Sequence, residues 1–170
     1  DTATVLQPDG WFHTGDIGTL SDDGYLTITD RKKELLVTSG GKKIAPAPIE
    51  ALLKRHPLVA EAMIVGEGRK IPAVLIVPNF TVLEHRRKVL GMETGSREAL
   101  VAREGVVSLY HEVVEPLNRD LAQFERLKKV ALLPVEFSIA TGELTPTMKL
   151  RRKVVLDRWQ AVVDRMYEGA

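Results

Sequence analysis

The 170-residue sequence predicts an α+β fold: a small sheet with packed helices, preceded by a β-hairpin. Three observations carry that prediction. Short β-prone runs interleave with amphipathic stretches in the order β-α-β-β-α-α-β-α from residue 35 onward. The length suits one domain, or one domain with a piece of another, and is enough to bury a real core. The net charge of +1 conceals a break, because residues 1–30 hold six Asp and no Lys, Arg or Glu, while all 24 basic residues follow Asp30. Such a sign change more often marks a boundary between two units than a nucleic-acid tail. The expected organisation is therefore a piece spanning 1–30 and a unit spanning 31–170. The chain opens Asp1-Thr2-Ala3-Thr4 without Met, so it reads as part of a longer protein.

The elements follow in order. Ile17 to Leu20 and Tyr25 to Thr29 are β-prone, and Ser21-Asp22-Asp23-Gly24 supplies the turn between them, with Gly where positive φ is needed. Leu35-Leu36-Val37 reads as a short strand, and Thr38 to Lys43 as a loop. A helix starts near Pro46 to Pro48, since proline is tolerated where the N–H has no intrahelical partner. It presents Ile49, Leu52 and Leu53 on one face and stops before Pro57. Val59 to Val65 and Ala73 to Val77 are strands joined by Gly66-Glu67-Gly68-Arg69-Lys70. Residues 81–90 form a short helix and 91–96 a loop. The stripe Val106, Tyr110, Val113, Leu117, Leu121 and Phe124 predicts a helix over about 106–126, kinked or restarted at Pro116. Val130 to Val135 is a strand, and 153–167 a last amphipathic helix in which Trp159 and Met166 are core residues.

Composition excludes several classes. The 44% apolar and 28% charged residues are ordinary for a globular protein, not for a collagen-like or disordered one. Cysteine is absent, which removes disulfide frameworks, zinc-thiolate sites and cysteine nucleophiles. No apolar run nears the roughly 18 residues of a membrane span, and no signal peptide is read, so the expected compartment is cytoplasmic. His13, His56, His85 and His111 lack metal-ligand spacing, so no metal ligands are assigned.

Three polar segments carry the chemistry. In Trp11-Phe12-His13-Thr14-Gly15-Asp16, a Gly-Asp pair by itself is an ordinary turn. An Asp can nevertheless accept hydrogen bonds from both hydroxyls of a ribose. The second segment runs from Asp30-Arg31-Lys32-Lys33-Glu34 through Gly40-Gly41 to Ile44-Ala45-Pro46 and Ile49-Glu50. Here a cation can sit beside a nucleotide, and a glycine loop lets a ligand approach backbone closely. The third, Gly142-Glu143-Leu144-Thr145-Pro146-Thr147-Met148-Lys149-Leu150-Arg151-Arg152-Lys153, is a loop that presents one Lys, a mobile point charge suited to phosphate. Glu50 is expected only to cover the first turn of its helix.

Together, in this order, the three segments resemble the adenylate-forming superfamily of acyl-CoA synthetases, luciferases and adenylation domains. The resemblance runs from about residue 9 to the last helix, and the wording of the second and third segments is most similar to long-chain fatty acyl-CoA synthetases. It implies that Asp16 holds the ATP ribose and that Arg31 is a second ribose ligand. Asp30 would be the hinge between a large N-terminal domain and a mobile C-terminal one. Gly40 and Gly41 would line the pantetheine channel for CoA. Lys149 would approach the α-phosphate and the substrate carboxylate. ATP, CoA and Mg²⁺ would serve the full-length enzyme, in which peripheral membrane contact has a place. The missing N-terminal domain would be the partner of this chain, residues 1–30 being its last strands, poorly packed without their neighbours. The isolated chain is expected to be inactive.

One departure stands out: many family members have Gly just before the lysine, and here Met148 occupies that place, which implies an ordinary φ/ψ for the loop. Two rival readings accompany the first. An adenylation domain could load a carrier-protein thiol instead of CoA. A stand-alone α+β module could bind RNA or another anion through Arg31-Lys32-Lys33 and Arg151-Arg152-Lys153. Scarce aromatics and near-zero net charge argue against nucleic acid.

Overall fold

The computed structural model describes residues 5–89 and 95–168. Strands β1 (Asp16–Leu20) and β2 (Leu26–Arg31) pair antiparallel as the first hairpin. Its turn closes through Gly24, at φ 83°, whose N–H donates to Ser21 O at 2.9 Å, while Ser21 Oγ accepts from Tyr25 N at 3.0 Å. The register shifts between Ile17 and Gly18, and a Cβ on Gly18 would lie 2.8 Å from Thr27 O, so the strands can close there only around glycine. Leu20, Tyr25, Leu26 and Ile28 are more than half exposed, as are Trp11 and Phe12 ahead of the hairpin.

A 3-10 turn (Lys32–Glu34) leads to β3 (Leu36–Val37), which pairs with β4 (Lys43–Ile44). Lys43, expected in the loop, pairs instead with Val37, drawn into a strand because Ile44, opposite Leu36, is fully buried. Helix α1 (Pro46–Leu53) begins on its proline and buries Pro46, Ile49, Glu50 and Leu53. Those positions are the i, i+3, i+4, i+7 stripe of a helix. Leu52, expected on that stripe, falls beside it and is exposed, whereas Glu50 is inside.

The main sheet runs β5 (Val59–Val65), β6 (Ala73–Pro78), β7 (Lys129–Leu132), with β5–β6 antiparallel and β6–β7 parallel. Every residue of central β6 is buried. A strand covered on both faces needs a continuous apolar run rather than alternation, and Ala73 to Val77 is one. Strand β7 is shorter than the expected run to Val135: Leu133 still donates to Ile76 O, and Pro134 then has no N–H to continue the ladder. Helix α2 (Phe80–Val89) is capped by Asn79, whose Oδ1 accepts from Val82 N. Leu90 and the start of the expected 91–96 loop lie outside the described residues. A five-residue helix not read from the sequence, α3 (Arg97–Val101), starts on Ser96, which accepts from Ala99 N.

Helix α4 (Glu104–Asp120) runs through Pro116 without restarting and ends six residues earlier than expected. Leu121 is extended, and Asn118 folds back to accept from Leu127 N (2.7 Å) and donate to Leu127 O (3.0 Å), fixing a turn in place of another helical turn. Phe124 is left on the surface beneath the Lys42 ammonium, 5.8 Å from its ring centre. Helix α5 (Arg152–Tyr167) closes the domain, with Val155 and Val163 buried and Trp159 and Met166 packed against the core. Helix α1 packs on β5, and α4 and α5 pack on β7.

Tyr110 on α4 is fully buried and donates to Leu58 O at 2.8 Å, ahead of β5. Burial pushes its phenol far above the ordinary range, so it stays a neutral donor. Tyr110→Phe is expected to lower unfolding stability by about 1 kcal/mol, the loss of one hydrogen bond, since Leu58 O keeps the Asn79 N–H at 2.8 Å as its other donor. Urea unfolding checks this: the midpoint should fall with the slope unchanged, and an unmoved midpoint would mean the bond contributes nothing.

Candidate functional site

The lysine loop is built from both ends. Leu144 and Leu150 form an antiparallel bridge. Between them Thr145 N donates to Lys149 O (2.8 Å), Met148 N to Thr145 O (2.8 Å), and Lys149 N to Thr145 Oγ1 (3.0 Å). Pro146 and Thr147 thus sit at the tip of a tight turn that ends on Lys149. Such a turn needs one residue in the left-handed region, and Met148 supplies it at φ 61°. It is the one non-glycine residue with positive φ among those described. The expectation of ordinary φ/ψ is therefore corrected. Met148 adopts the conformation that glycine would take, which costs an L-residue about 1–2 kcal/mol.

Glu143, just before the bridge, is fully buried. Its carboxylate accepts from Ser138 N and Thr141 Oγ1 and pairs with Arg158 of α5, while Glu143 O accepts from Arg151 N at 2.7 Å. Burial alone would raise the pKa, but the donors outweigh it and hold the carboxyl below its usual range. A second buried acid, Glu50 of α1, accepts from Ile64 N at 2.6 Å and pairs with Arg152 at 2.6 Å. It is not merely a cover for a helix turn. It ties α1, β5 and the start of α5 together.

Asp16 and Arg31 face each other across the first hairpin, Cα partners in register, with Arg31 Nε 2.7 Å from Asp16 Oδ1. Asp16 N donates to Thr14 Oγ1, and Gly15 O accepts from Lys32 N. These two residues and Lys149 line one open cleft of about 900 Å³, whose lining also includes Glu50 of α1 and, just past the end of that helix, Lys54 and Arg55. Asp30 lies in β2 opposite Ile17; its side chain is outside the described set.

Gly40 and Gly41 do not line that cleft. Their loop is tied instead to the turn after β5. Ser39 N donates to Arg69 O (2.9 Å), Gly68 N to Val37 O (2.8 Å) and Val37 N to Glu67 Oε2 (2.8 Å). Gly41, at φ 73°, closes the loop by donating to Thr38 O. Sequence reasoning missed Glu67, Arg69, Arg152, Arg158 and the true roles of Glu50 and Glu143. Only Glu50 left a legible trace, an acid between Ile49 and Leu53 on the inner face of a helix. Among the described residues no three acidic or histidine side chains gather as for a metal ion, and no helix is long and apolar enough to cross a membrane.

One three-stranded mixed sheet with packed helices thus carries both the lysine loop and the glycine loop. The chain belongs to the AMP-binding enzyme C-terminal domain family, whose model matches residues 33–170. It is 39% identical over 163 residues to the long-chain-fatty-acid–CoA ligase FadD15 of Mycobacterium tuberculosis, covering 94% of this chain and 27% of the ligase. The chain thus spans about a quarter of that relative's length. In fold it matches the adenylation domain of a carboxylate reductase from Mycobacterium chelonae, with a TM-score of 0.81, 22% identity and 98% of this chain against 24% of that one. It also matches the corresponding domain from Segniliparus rugosus, in complex with AMP and a co-purified carboxylic acid, with a TM-score of 0.80, 24% identity and the same coverage.

Two outcomes follow for the loop. Met148→Gly is expected to stabilise the chain by about 0.5–1 kcal/mol, relief of left-handed strain less the added freedom of unfolded glycine. A higher thermal midpoint checks it; a lower one would mean the Met148 side chain holds more than its backbone loses. For Glu143, the folded pKa lies below the unfolded one. Its contribution is complete above the ordinary carboxylate range and fades as pH falls through the lowered folded value. The stability gap between the parent and Glu143→Gln should therefore narrow as acid is added, and a gap independent of pH would show that the charge is not what Arg158 answers.

Proposed function

We propose that this chain is the C-terminal portion of an AMP-forming long-chain fatty acid–CoA ligase. Residues 1–30 would be the last strands of the adenylating domain, and 31–170 a mobile domain swinging about Asp30. The observation that supports this reading is the meeting of Asp16, Arg31 and Lys149 on one cleft, with the Gly40-Gly41 loop tied to a different turn.

The chemistry has two steps. A carboxylate oxygen of the fatty acid bonds to the α-phosphorus of ATP, and the bond to the pyrophosphate oxygen breaks. Asp16 and Arg31 hold the ribose. Lys149 supplies a cation where charge develops between carboxylate and phosphate, a contact worth about 10²–10³ in rate. The domain then turns about Asp30, a movement that needs only one or two residues free in φ/ψ. Lys149 withdraws, and Gly40-Gly41 lines the path of the pantetheine. The CoA sulfur bonds to the acyl carbon, the mixed anhydride breaks, AMP leaves, and the thiol proton passes to solvent. Mg²⁺ would accompany the ATP phosphates, and the resemblance implies that its protein ligand lies in the N-terminal domain. The phosphate loop and acyl tunnel would lie there too, so the isolated chain would be inactive. CoA is favoured over a carrier protein because the 39% identity is to a CoA ligase, while the carboxylate reductase domains stand at 22–24%.

ATP–pyrophosphate exchange with a long-chain fatty acid tests this. The full-length ligase should exchange, while the isolated chain and full-length Lys149→Ala should lose about 10²-fold or more. Normal exchange by the Ala variant would place the catalytic cation elsewhere, and no exchange by the full-length protein with any carboxylate would end the reading.

A further inference from the structure

Helix α5 reaches both loops that the proposed reaction uses, and it reaches them through different carboxylates. On one side Arg158 pairs with buried Glu143, which gathers Ser138 N and Thr141 Oγ1 onto its carboxylate and, through its carbonyl, the Arg151 N–H. Those contacts fix both ends of the segment that presents Lys149. On the other side Asp164 pairs with Arg69 at 2.9 Å, and the Arg69 guanidinium lies 4.9 Å from the Tyr167 ring centre. The Tyr167 hydroxyl donates to Ile71 O at 2.9 Å; burial pushes its pKa up to about 12, against the pull of Arg69. The fit is close enough that a Cβ on Gly66, at φ 126°, would stand 2.6 Å from that hydroxyl. The turn held in this way carries Glu67, whose carboxylate accepts from Val37 N, and Arg69, whose carbonyl accepts from Ser39 N, immediately before Gly40.

Resting on the function proposed above, we infer that Glu143 and Glu67 are positioning residues for opposite halves of the reaction. Glu143 sets the Lys149 loop for adenylate formation, and Glu67 sets the Gly40-Gly41 loop for thiol attack. Neither touches the reacting atoms. Each works on a loop that the other does not bond, and α5 reaches both supports, Glu143 through Arg158 and the Glu67 turn through Asp164. A shift of about 1 Å in a positioned group can cost about 10² in rate, so loosening either support should slow one half-reaction and spare the other. General loss of packing would slow both.

The test uses the full-length ligase and two assays, pyrophosphate exchange with a long-chain fatty acid and acyl-CoA formation from supplied acyl-adenylate and CoA. Glu143→Gln should slow exchange by about tenfold or more and leave thioester formation within about twofold; Glu67→Ala should do the reverse, through kcat/KM for CoA. Thr141→Val, which removes one donor to Glu143, and Arg69→Ala, which frees the turn from Asp164, should reproduce the two patterns more weakly if a first variant fails to fold. Equal losses in both assays, or none in either, overturn the inference. A wild-type enzyme that exchanges with no carboxylate overturns the proposed function instead, and the inference with it.

Discussion

A carboxylate can be taken out of water only if donors or a cation answer its charge. That constraint shapes this domain twice. Glu50 and Glu143 are both buried, on segments about ninety residues apart, and each is met by an arginine of the same helix, Arg152 at its first residue and Arg158 within its second turn. The sheet would form without them, since β5, β6 and β7 bring apolar runs and their own ladder. What the pairs decide is where the surrounding segments lie. Through Glu50 the N-terminus of α5 is held to α1 and to Ile64 of β5; through Glu143 its middle is held to the segment leading to Lys149.

The strain at Met148 belongs to the same construction. A loop bridged at Leu144 and Leu150 and closed three times through Thr145 and Lys149 has no slack to let residue 148 relax into a right-handed region. The backbone around it is over-determined, and a side chain that prefers negative φ is carried along at a cost of about 1–2 kcal/mol. Its side chain stays on the surface, so no apolar burial offsets that cost. The position before the lysine is therefore set by geometry, and methionine meets it as an exception that the anchors on either side can bear.

How far the sequence disclosed this depended on the kind of signal. Apolar runs and turn glycines located the first hairpin, β5, β6 and α5, because burial and positive φ write themselves into residue type. Helix α4 was overrun at its C-terminus because the apolar stripe continues into Leu121 and Phe124, while the event that ends the helix is a side chain, Asn118, bonding nine residues ahead. Strand β4 is two residues long, too short for any period to show. The motifs singled out Asp16, Arg31 and Lys149, but that the three line one cleft is a fact of tertiary packing that no motif discloses. Glu67, Arg69 and Arg158 were not legible at all. Charged residues in polar stretches look like solvated surface until their partners are known, and those partners are 30, 95 and 15 residues away.

Buried or half-buried ion pairs are weak grounds for expecting stability, since desolvation takes back most of what attraction gives. Their value here lies in register. The inner face of α5 is an apolar row, Val155, Trp159 and Val163, spaced at intervals of four residues. A row that regular fits a flat apolar surface almost as well when moved along its axis by one turn, about 5.4 Å. Such a slip would hardly change the apolar area buried, but it would draw Arg152 from Glu50 and Arg158 from Glu143 together and leave two carboxylates without cations. Breaking one buried pair costs about 3–5 kcal/mol, somewhat less where the arginine is half exposed as Arg158 is. The apolar face holds α5 down, and the two acids fix it lengthwise. Because the lysine loop and the turn under the glycine loop both hang from that helix, a single axial coordinate sets them both. In the reaction proposed here, a domain that offers two faces in turn would need that coordinate fixed, since each loop would be correct on arrival only if neither had shifted against the other on the way.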